Sequence, residues 1–236
     1  MLQFEVGVQS FDPDIQKRIS RKQDNLKTKA NLRWLRQNTH THIHADLLAG
    51  LPGDTLAGFG ASFDQLIALN PQEIQVGILK RLRGAPINRH SENYRMRYDP
   101  NPPYALLSNR DLNFAILQRL QRFARFWDLI GNSGRFPAAL PLILGDQPFA
   151  RFLQFSDALY EISDSTWQIG LKRLFELTYR VMIESLELLP ARVAELLYQD
   201  YSRSGEKGRL EFMHAGPEIQ LKQSVANKRQ RQRLIE

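Results

Sequence analysis

Residues 2–9 alternate strictly. Leu2, Phe4, Val6 and Val8 fall on one side of an extended chain, and Gln3, Glu5, Gly7 and Gln9 on the other, which is the period-two pattern of a strand. The polar side is informative, since it sets a carboxylate, a glycine and an amide in one row. Ser10-Phe11-Asp12-Pro13 breaks the run, and residues 15–21 suit a helical turn. Helical spacing then covers 25–38, with Leu26, Ala30, Leu32 and Leu35 as the expected buried stripe. Ile43 to Leu51 reads as a second strand closed by Gly50-Leu51-Pro52-Gly53. A helix over 55–69 places Leu56, Phe59, Phe63, Leu66 and Ile67 on one face, and Asn70-Pro71 stops it. Residues 73–79 read as a third strand, ended by Arg83-Gly84-Ala85-Pro86.

Strand, helix, strand, helix, strand with crossovers of this length predicts a parallel sheet with right-handed connections. In a barrel of such units the polar strand faces point inward, toward a site at the C-terminal strand ends. Three strands cannot close a barrel, so an edge and a polar face are left uncovered. From Pro102 the pattern turns helical, over 112–129, 149–162, 168–189 and, with Pro190 in its first turn, 191–201; Gly205 to Gly208 ends that last helix. The expected class is therefore α/β: a partial (β/α) barrel of about three parallel strands over 1–90, a mainly α-helical C-terminal domain over 91–221, and a basic tail over 222–236.

Composition adds limits. The 236 residues carry 32 Lys and Arg against 25 Asp and Glu, a net charge of +7, with no cysteine; the sequence pI is near 9.8. Without thiols the chain forms no disulfide, thiolate zinc site, cysteine nucleophile or cysteine-held iron–sulfur cluster of its own. No uncharged apolar run approaches the roughly 18 residues of a membrane helix, and the first residues do not read as a signal peptide, so a cytoplasmic protein without a membrane partner is expected.

Four features carry candidate chemistry. His40, His42, His44 and Asp46 share strand parity; two histidines at i and i+2 can chelate one metal, but residues i and i+4 are roughly 13 Å apart. Solvated or partly buried histidines are the favoured reading, and no metal ligand set is assigned. Gly50-Leu51-Pro52-Gly53-Asp54 at a strand-to-helix turn admits close backbone approach to a ligand, or serves turn geometry alone. Glu5, Gly7 and Gln9 either hydrogen-bond a polar ligand or face water. Lys222, Lys228, Arg229, Arg231 and Arg233 form a terminal basic cluster, and Arg119, Arg122 and Arg125 recur on one helix. Such a pI raises nucleic acid as a partner, yet no recognised binding motif accompanies the charge, so a solvated face and tail is favoured and nucleic acid is not expected.

Taken together, Phe4-Glu5-Val6-Gly7-Val8-Gln9-Ser10, Ile19-Ser20-Arg21-Lys22, Ala45-Asp46-Leu47-Leu48-Ala49-Gly50-Leu51-Pro52-Gly53-Asp54 and Asn70-Pro71 resemble, in order and spacing, the second half of the radical S-adenosylmethionine (radical SAM) barrel. Gln75 to Pro86, Pro103-Tyr104 and Asn132-Ser133-Gly134-Arg135-Phe136 resemble more narrowly the cobalamin-binding-domain radical SAM proteins, whose C-terminal helical domain has no assigned function. In that family S-adenosylmethionine binds against a four-iron four-sulfur cluster, and an electron from the cluster yields a radical that abstracts a substrate hydrogen. Carried over by position, the resemblance implies that Gln9 and Asp46 hydrogen-bond S-adenosylmethionine, foremost at its ribose, with Glu5 supporting them. Arg21 would approach the methionyl carboxylate, where a guanidinium fork suits the geometry. Gly50, Pro52 and Gly53, with the third strand, would meet adenine through backbone.

The family's CxxxCxxC loop, its first three strands and its cobalamin domain have no counterpart here. The chain is expected to be the C-terminal portion of such an enzyme: a split subunit, a truncated gene model or a remnant. The cluster, and cobalamin where used, would come only with a missing N-terminal part on a partner polypeptide. The resemblance names no substrate. The alternative is a non-catalytic interaction or nucleic-acid-binding helical protein derived from such an enzyme.

Overall fold

The structure, a computed structural model, describes residues 2–205 and 208–214. In chain order come β1 (Gln3–Gln9), α1 (Pro13–Arg18), α2 (Asn25–Asn38), β2 (His42–Ala49), α3 (Leu56–Leu69) and β3 (Glu73–Ile78). Local chemistry sets the helix starts. The Asp12 carboxylate accepts from the Asp14 and Ile15 N–H groups with Pro13 in the first turn, Asp24 accepts from Lys27, and the Thr55 hydroxyl accepts from Gly58. Asn70, with φ of 50°, ends α3 in the left-handed region.

The three strands form one parallel sheet in the order β1-β2-β3. Gln3 pairs with His42, Glu5 with His44 and Gly7 with Asp46; on the other side His44 pairs with Glu73 and Asp46 with Gln75. Strand alternation divides β2 cleanly: Ile43, Ala45, Leu47 and Ala49 are buried, while His42, His44, Asp46 and Leu48 on the opposite face are only half-buried. The expected α/β class with three parallel strands is what the chain forms.

The stripe expected on α2 is corrected. Leu32 is buried, but Leu26 is 83% exposed, Ala30 is exposed and Leu35 half-buried. Lys29 bonds Gln65 of α3, and Arg36 donates to the Asn70 carbonyl. Leu32 is the buried position on this helix, while Leu26, Ala30 and Trp34 face outward. The first helical turn is also shorter than expected, since α1 stops at Arg18 rather than reaching Arg21.

After residue 90 the chain is not purely helical. A 3-10 turn (Pro86–His90) leads to β4 (Arg97–Tyr98) and β5 (Leu106–Ser108), an antiparallel pair that the helical reading of this region did not contain. The strands are two and three residues long, too short for a periodicity to register. The remaining helices are α4 (Phe114–Ile130), α5 (Leu140–Leu144), α6 (Pro148–Ser163), α7 (Leu171–Glu184) and α8 (Pro190–Arg203). On α4 the buried side is Leu117, Leu120, Phe123, Phe126, Trp127 and Ile130, with Ala115 exposed and Ile116 half-buried instead of lying in the core. α7 is shorter than the 168–189 expected for it.

Contacts divide the chain into two compact units, one comprising the chain to Gly134 with Leu144–Asp157, the other Arg135–Ile143 with the chain from Ala158. The textural boundary near residue 90 marks where the parallel strands stop. The first unit runs on through α4, which packs against β3. Its core centres on Phe59, Phe63, Phe123, Trp127, Phe149 and Phe152, largely in edge-on contacts, such as Phe63 to Trp127 with centroids 4.9 Å apart at 84°. In the second unit Phe136 stacks on Phe175 at 4.4 Å, Tyr201 meets Phe175 edge-on, and Tyr179 stacks on Phe212. Among the described residues no helix is long and apolar enough to cross a membrane. The expected basic tail over 222–236 lies outside the described residues.

Candidate functional site

Gly7 is the centre of the site. A Cβ placed on it would lie 2.9 Å from Gln9 Nε2, 3.7 Å from Arg21 Nη2 and 3.8 Å from Asp46 Oδ2. Three residues from three separate segments therefore converge on one glycine, near the C-terminal ends of a parallel strand pair. β1 makes this possible by irregularity. Its register against β2 shifts between Gly7 and Gln9, and Gln9 has φ of 65°. The bulge brings the Gln9 amide over Gly7.

Arg21 donates from Nη2 to the Gly7 carbonyl and from Nε to Gln23 Oε1 at 2.9 Å. Its backbone is fixed from outside the strands. Arg89 donates to the Arg18 carbonyl and the Ser20 hydroxyl, and a His90 ring nitrogen lies 2.8 Å from the same carbonyl. These contacts satisfy the C-terminal end of α1 and set the short segment that carries Arg21.

Asp46 is the most constrained group. Oδ1 is buried and, among the described residues, has no aligned hydrogen-bond donor. His44 Nε2 lies 3.1 Å away, but is directed at Gln75 Oε1 at 2.8 Å. Burial raises the Asp46 pKa above the ordinary carboxylate value; the nearby charges of Glu5 and Glu73 add to this, and His44 opposes it. Glu5 lies one pair back along the same face and is exposed. It acts on Asp46 through charge, while Gln9 and Arg21 share its neighbourhood directly.

Gly50, Pro52 and Gly53 form the turn after β2, and their described contacts are with the protein itself. Gly50 has φ of 93°, and a Cβ there would meet Leu106 Cδ2 at 2.6 Å. Arg18 lies over Gly53, donates to the Pro52 carbonyl at 2.8 Å and stacks its guanidinium on Tyr94. Asp54, 2% exposed, accepts from the Thr55 N–H at 2.8 Å. Its pKa is pushed up to about 6, by burial first and by the charges of Asp12 and Asp111 after it, against the Thr55 hydrogen bond and Arg18.

The sequence reading did not assign His44, Glu73 or Gln75 to the site. Glu73 Oε2 lies 3.3 Å from His44 Nδ1 and 3.5 Å from His42 Nε2. The signal was present: Glu73 and Gln75 have strand parity and stand opposite His44 and Asp46, but only the register shows it. Among the described residues, no group of three or more His, Asp or Glu side chains is placed to hold a metal ion. His40 sits in the loop before β2 and is exposed. The arrangement offers acceptors, an amide and a guanidinium in one place, which suits a polar ligand carrying hydroxyl and carboxylate groups.

Residues 92–236, well over half of the chain, match the family described as "Protein of unknown function (DUF4080)". The chain belongs to that family. The chain is also similar over a shorter stretch to curated proteins. An oxygen-independent coproporphyrinogen III oxidase of Pseudomonas aeruginosa is 35% identical over 71 residues, which is 30% of this chain and 15% of that protein. Its counterpart from Paracoccus denitrificans is 38% identical over 69 residues, 29% of this chain and 15% of that protein. The matched stretch thus spans only 15% of the length of these curated relatives. Among solved structures, coproporphyrinogen III oxidase (HemN) from Escherichia coli, described as a radical SAM enzyme, aligns with a TM-score of 0.39 and 24% identity. That alignment covers 56% of this chain and 27% of the other, and the score is below the level at which two folds are equated.

Proposed function

We propose that this DUF4080 chain contributes part of an S-adenosylmethionine pocket to a radical SAM enzyme, with the rest of the barrel and the cluster thiolates on a partner polypeptide. The supporting observation is the convergence of the Gln9 amide, the Arg21 guanidinium and Asp46 Oδ2 on Gly7. A carboxylate oxygen beside an amide and a guanidinium suits a ligand that carries vicinal hydroxyls and a carboxylate, and S-adenosylmethionine has a ribose diol and a methionyl carboxylate. The similarity to coproporphyrinogen oxidases over 69 to 71 residues supports the same reading.

The residues present fit this group. Asp46 Oδ2, the carboxylate oxygen on the Gly7 side, would accept from a ribose hydroxyl, the Gln9 amide would donate beside it, and Gly7 lets the two approach because it has no Cβ. Arg21 presents its guanidinium to a carboxylate from the adjoining segment. The side chains bind and orient; the ligand, when bound, supplies a sulfonium centre whose carbon–sulfur bond can be cleaved by an added electron. The chain has no cysteine and holds no iron–sulfur cluster by thiolates, so no electron-transfer step is assigned to it. Neither the geometry nor the relatives give support for cobalamin.

The test is ligand-detected NMR of S-adenosylmethionine with the full chain, its Asp46→Asn variant and its Gln9→Ala variant. Saturation transfer to the ribose protons of the wild type, weakened at least fivefold in both variants, is the expected outcome. Absence of transfer to the wild type, or equal transfer in all three, would remove the reading.

A further inference from the structure

The guanidinium of Arg18 is held over the turn that follows β2. It donates from Nη1 to the Pro52 carbonyl at 2.8 Å and lies 5.3 Å from the centre of the Tyr94 ring. Gly53, with φ of 82°, gives it room: a Cβ there would meet the Arg18 guanidinium and stand 3.1 Å from Tyr94 Cε1. The backbone of Arg18 is held as well. Its carbonyl accepts from Arg89 Nη2 at 3.0 Å, and the same nitrogen reaches the Ser20 hydroxyl at 2.5 Å. Tyr94 closes the circuit, since its N–H donates to the His90 carbonyl and Arg110 lays a second guanidinium on its ring at 4.5 Å. Three arginines from three segments thus meet beside the turn at the C-terminal end of β2.

The charges there are not balanced. Arg110 pairs with Asp111. Among the described residues, Arg18 and Arg89 are in no ion pair, and Arg18 Nε and Nη2 and Arg89 Nη1 donate to no protein acceptor. Asp54 is the carboxylate that feels the charge of Arg18, but it is 2% exposed and accepts from the Thr55 N–H instead. The turn over 86–95 brings Arg89, His90 and Arg95 against one carboxylate, Glu92, which is exposed. Guanidinium groups held together in this way repel one another, and their open N–H groups match the paired oxygens of an oxyanion. We propose that Arg18 and Arg89 form an oxyanion subsite, which takes the phosphate or carboxylate group of a small-molecule ligand. Arg18 is half-buried and Arg89 exposed, so the ligand reaches them from solvent. Gly53 and Tyr94 hold the Arg18 fork in place, while Arg89 fixes the Arg18 backbone with one nitrogen and leaves Nη1 to the ligand. The subsite uses none of Gln9, Arg21 or Asp46, so it stands or falls separately from S-adenosylmethionine binding.

The experiment titrates the full chain with inorganic phosphate and, separately, with succinate, and follows the arginine Nε–Hε signals by nitrogen-15 NMR. Chloride at about 0.1 M screens diffuse attraction to the basic surface. At least one probe should shift the Arg18 signal with a Kd of about 1–10 mM. Arg18→Gln should weaken that binding by about fivefold to tenfold, because the charge-assisted fork is lost. Arg33→Gln removes the same charge from an exposed position on α2 and should leave the affinity unchanged. A response to phosphate alone assigns a phosphoryl ligand, one to succinate alone a carboxylate ligand, and one to both a site for either oxyanion. No shift with either probe at about 50 mM, or equal weakening in Arg18→Gln and Arg33→Gln, overturns the proposal. Where Arg18→Gln fails to fold, Arg89→Gln carries the same comparison with Arg33→Gln.

Discussion

The side chain of Asn132 completes the backbone of Ile74. Its Oδ1 accepts from the Ile74 N–H at 3.1 Å, and its Nδ2 donates to the Ile74 carbonyl at 2.9 Å. An amide thereby stands in for a neighbouring strand on β3, which is an end strand of the three-stranded sheet. Further along, Leu106 donates to the Leu79 carbonyl and Arg81 to the Tyr104 carbonyl, so the line of β3 is covered beyond its end. β1 has no partner strand on its outer edge among the described residues. The two edges of the sheet are managed differently: β3 is closed from within the chain, and β1 is the edge at which the proposed partner polypeptide would continue the sheet.

Asn132→Ala should therefore destabilise the first unit by about 1–3 kcal/mol, because Ile74, 3% exposed, keeps two polar backbone groups without partners. Asn132→Asp should be no better: it retains an acceptor for the N–H but loses the donor, and sets a second carboxylate beside Asp128 Oδ1, now 3.0 Å from Nδ2. Chemical denaturation of the three proteins measures this. Equal midpoints would show that the Asn132 contacts contribute nothing.

Gly50 and Gly134 both have positive φ, 93° and 66°, but different surroundings. A Cβ at Gly134 meets nothing within 4 Å, whereas at Gly50 it meets Leu106 Cδ2 at 2.6 Å. Gly134→Ala should lose only the conformational advantage of glycine, about 1–2 kcal/mol. Gly50→Ala should lose more, by about 1–3 kcal/mol of overpacking, and should displace β5. Thermal unfolding of both variants gives the comparison, and a milder Gly50→Ala would contradict the close approach.

The strands, crossover helices and polar face of the sheet were legible because each depends on a repeating local pattern long enough to count. β2 is the clearest case, since eight residues of alternation separate Ile43, Ala45 and Leu47 from His42, His44 and Asp46. What the sequence did not show depends on pairing. Glu73 meets His44 only through the β2–β3 register, Asn132 reaches Ile74 from 58 residues away, and the Gln9 amide returns over Gly7 only because of a bulge. The rotation of α2 is a third kind of omission. Leu26, Ala30 and Leu32 are all apolar, and which of them is buried depends on the packing of α2 against α3, which helical periodicity alone does not encode.

In the second unit, Asp200 is 1% exposed and accepts from the Ala138 N–H at 3.0 Å and 3.1 Å and from the Ala139 N–H at 2.9 Å. Burial raises its pKa, while those two N–H groups hold the carboxylate form against that. Asp200→Ala leaves both donors without a partner, and Ala139 is fully buried. A loss of about 2–4 kcal/mol is expected. Hydrogen exchange should show it as faster exchange at Ala138 and Ala139 than in wild type. Unaltered protection there would mean that water replaces the carboxylate without penalty.

Asp54 gives the chain a pH dependence of stability with a definite sign. Its pKa rises from 3.8 to about 6 on folding, so between those values the native state binds more protons than the unfolded one. Stability must then fall as pH rises through that window. Below the window both states carry the proton and no penalty remains; above about 6 the ionised group is buried in full and the penalty is complete. A shift of about two pH units corresponds to about 3 kcal/mol at most. Asp64 and Asp200 are raised by burial too and contribute with the same sign. The chain should therefore unfold at a higher temperature at about pH 5 than at about pH 7.5, against the trend set by carboxylates in salt bridges. Asp54→Asn keeps an acceptor for the Thr55 N–H and removes the charge, so it should raise stability at neutral pH and flatten the profile. Scanning calorimetry of both proteins across that range measures the slope. A wild-type profile that rises toward neutral pH, or an unchanged slope in Asp54→Asn, would mean that Asp54 ionises without resistance in the folded chain.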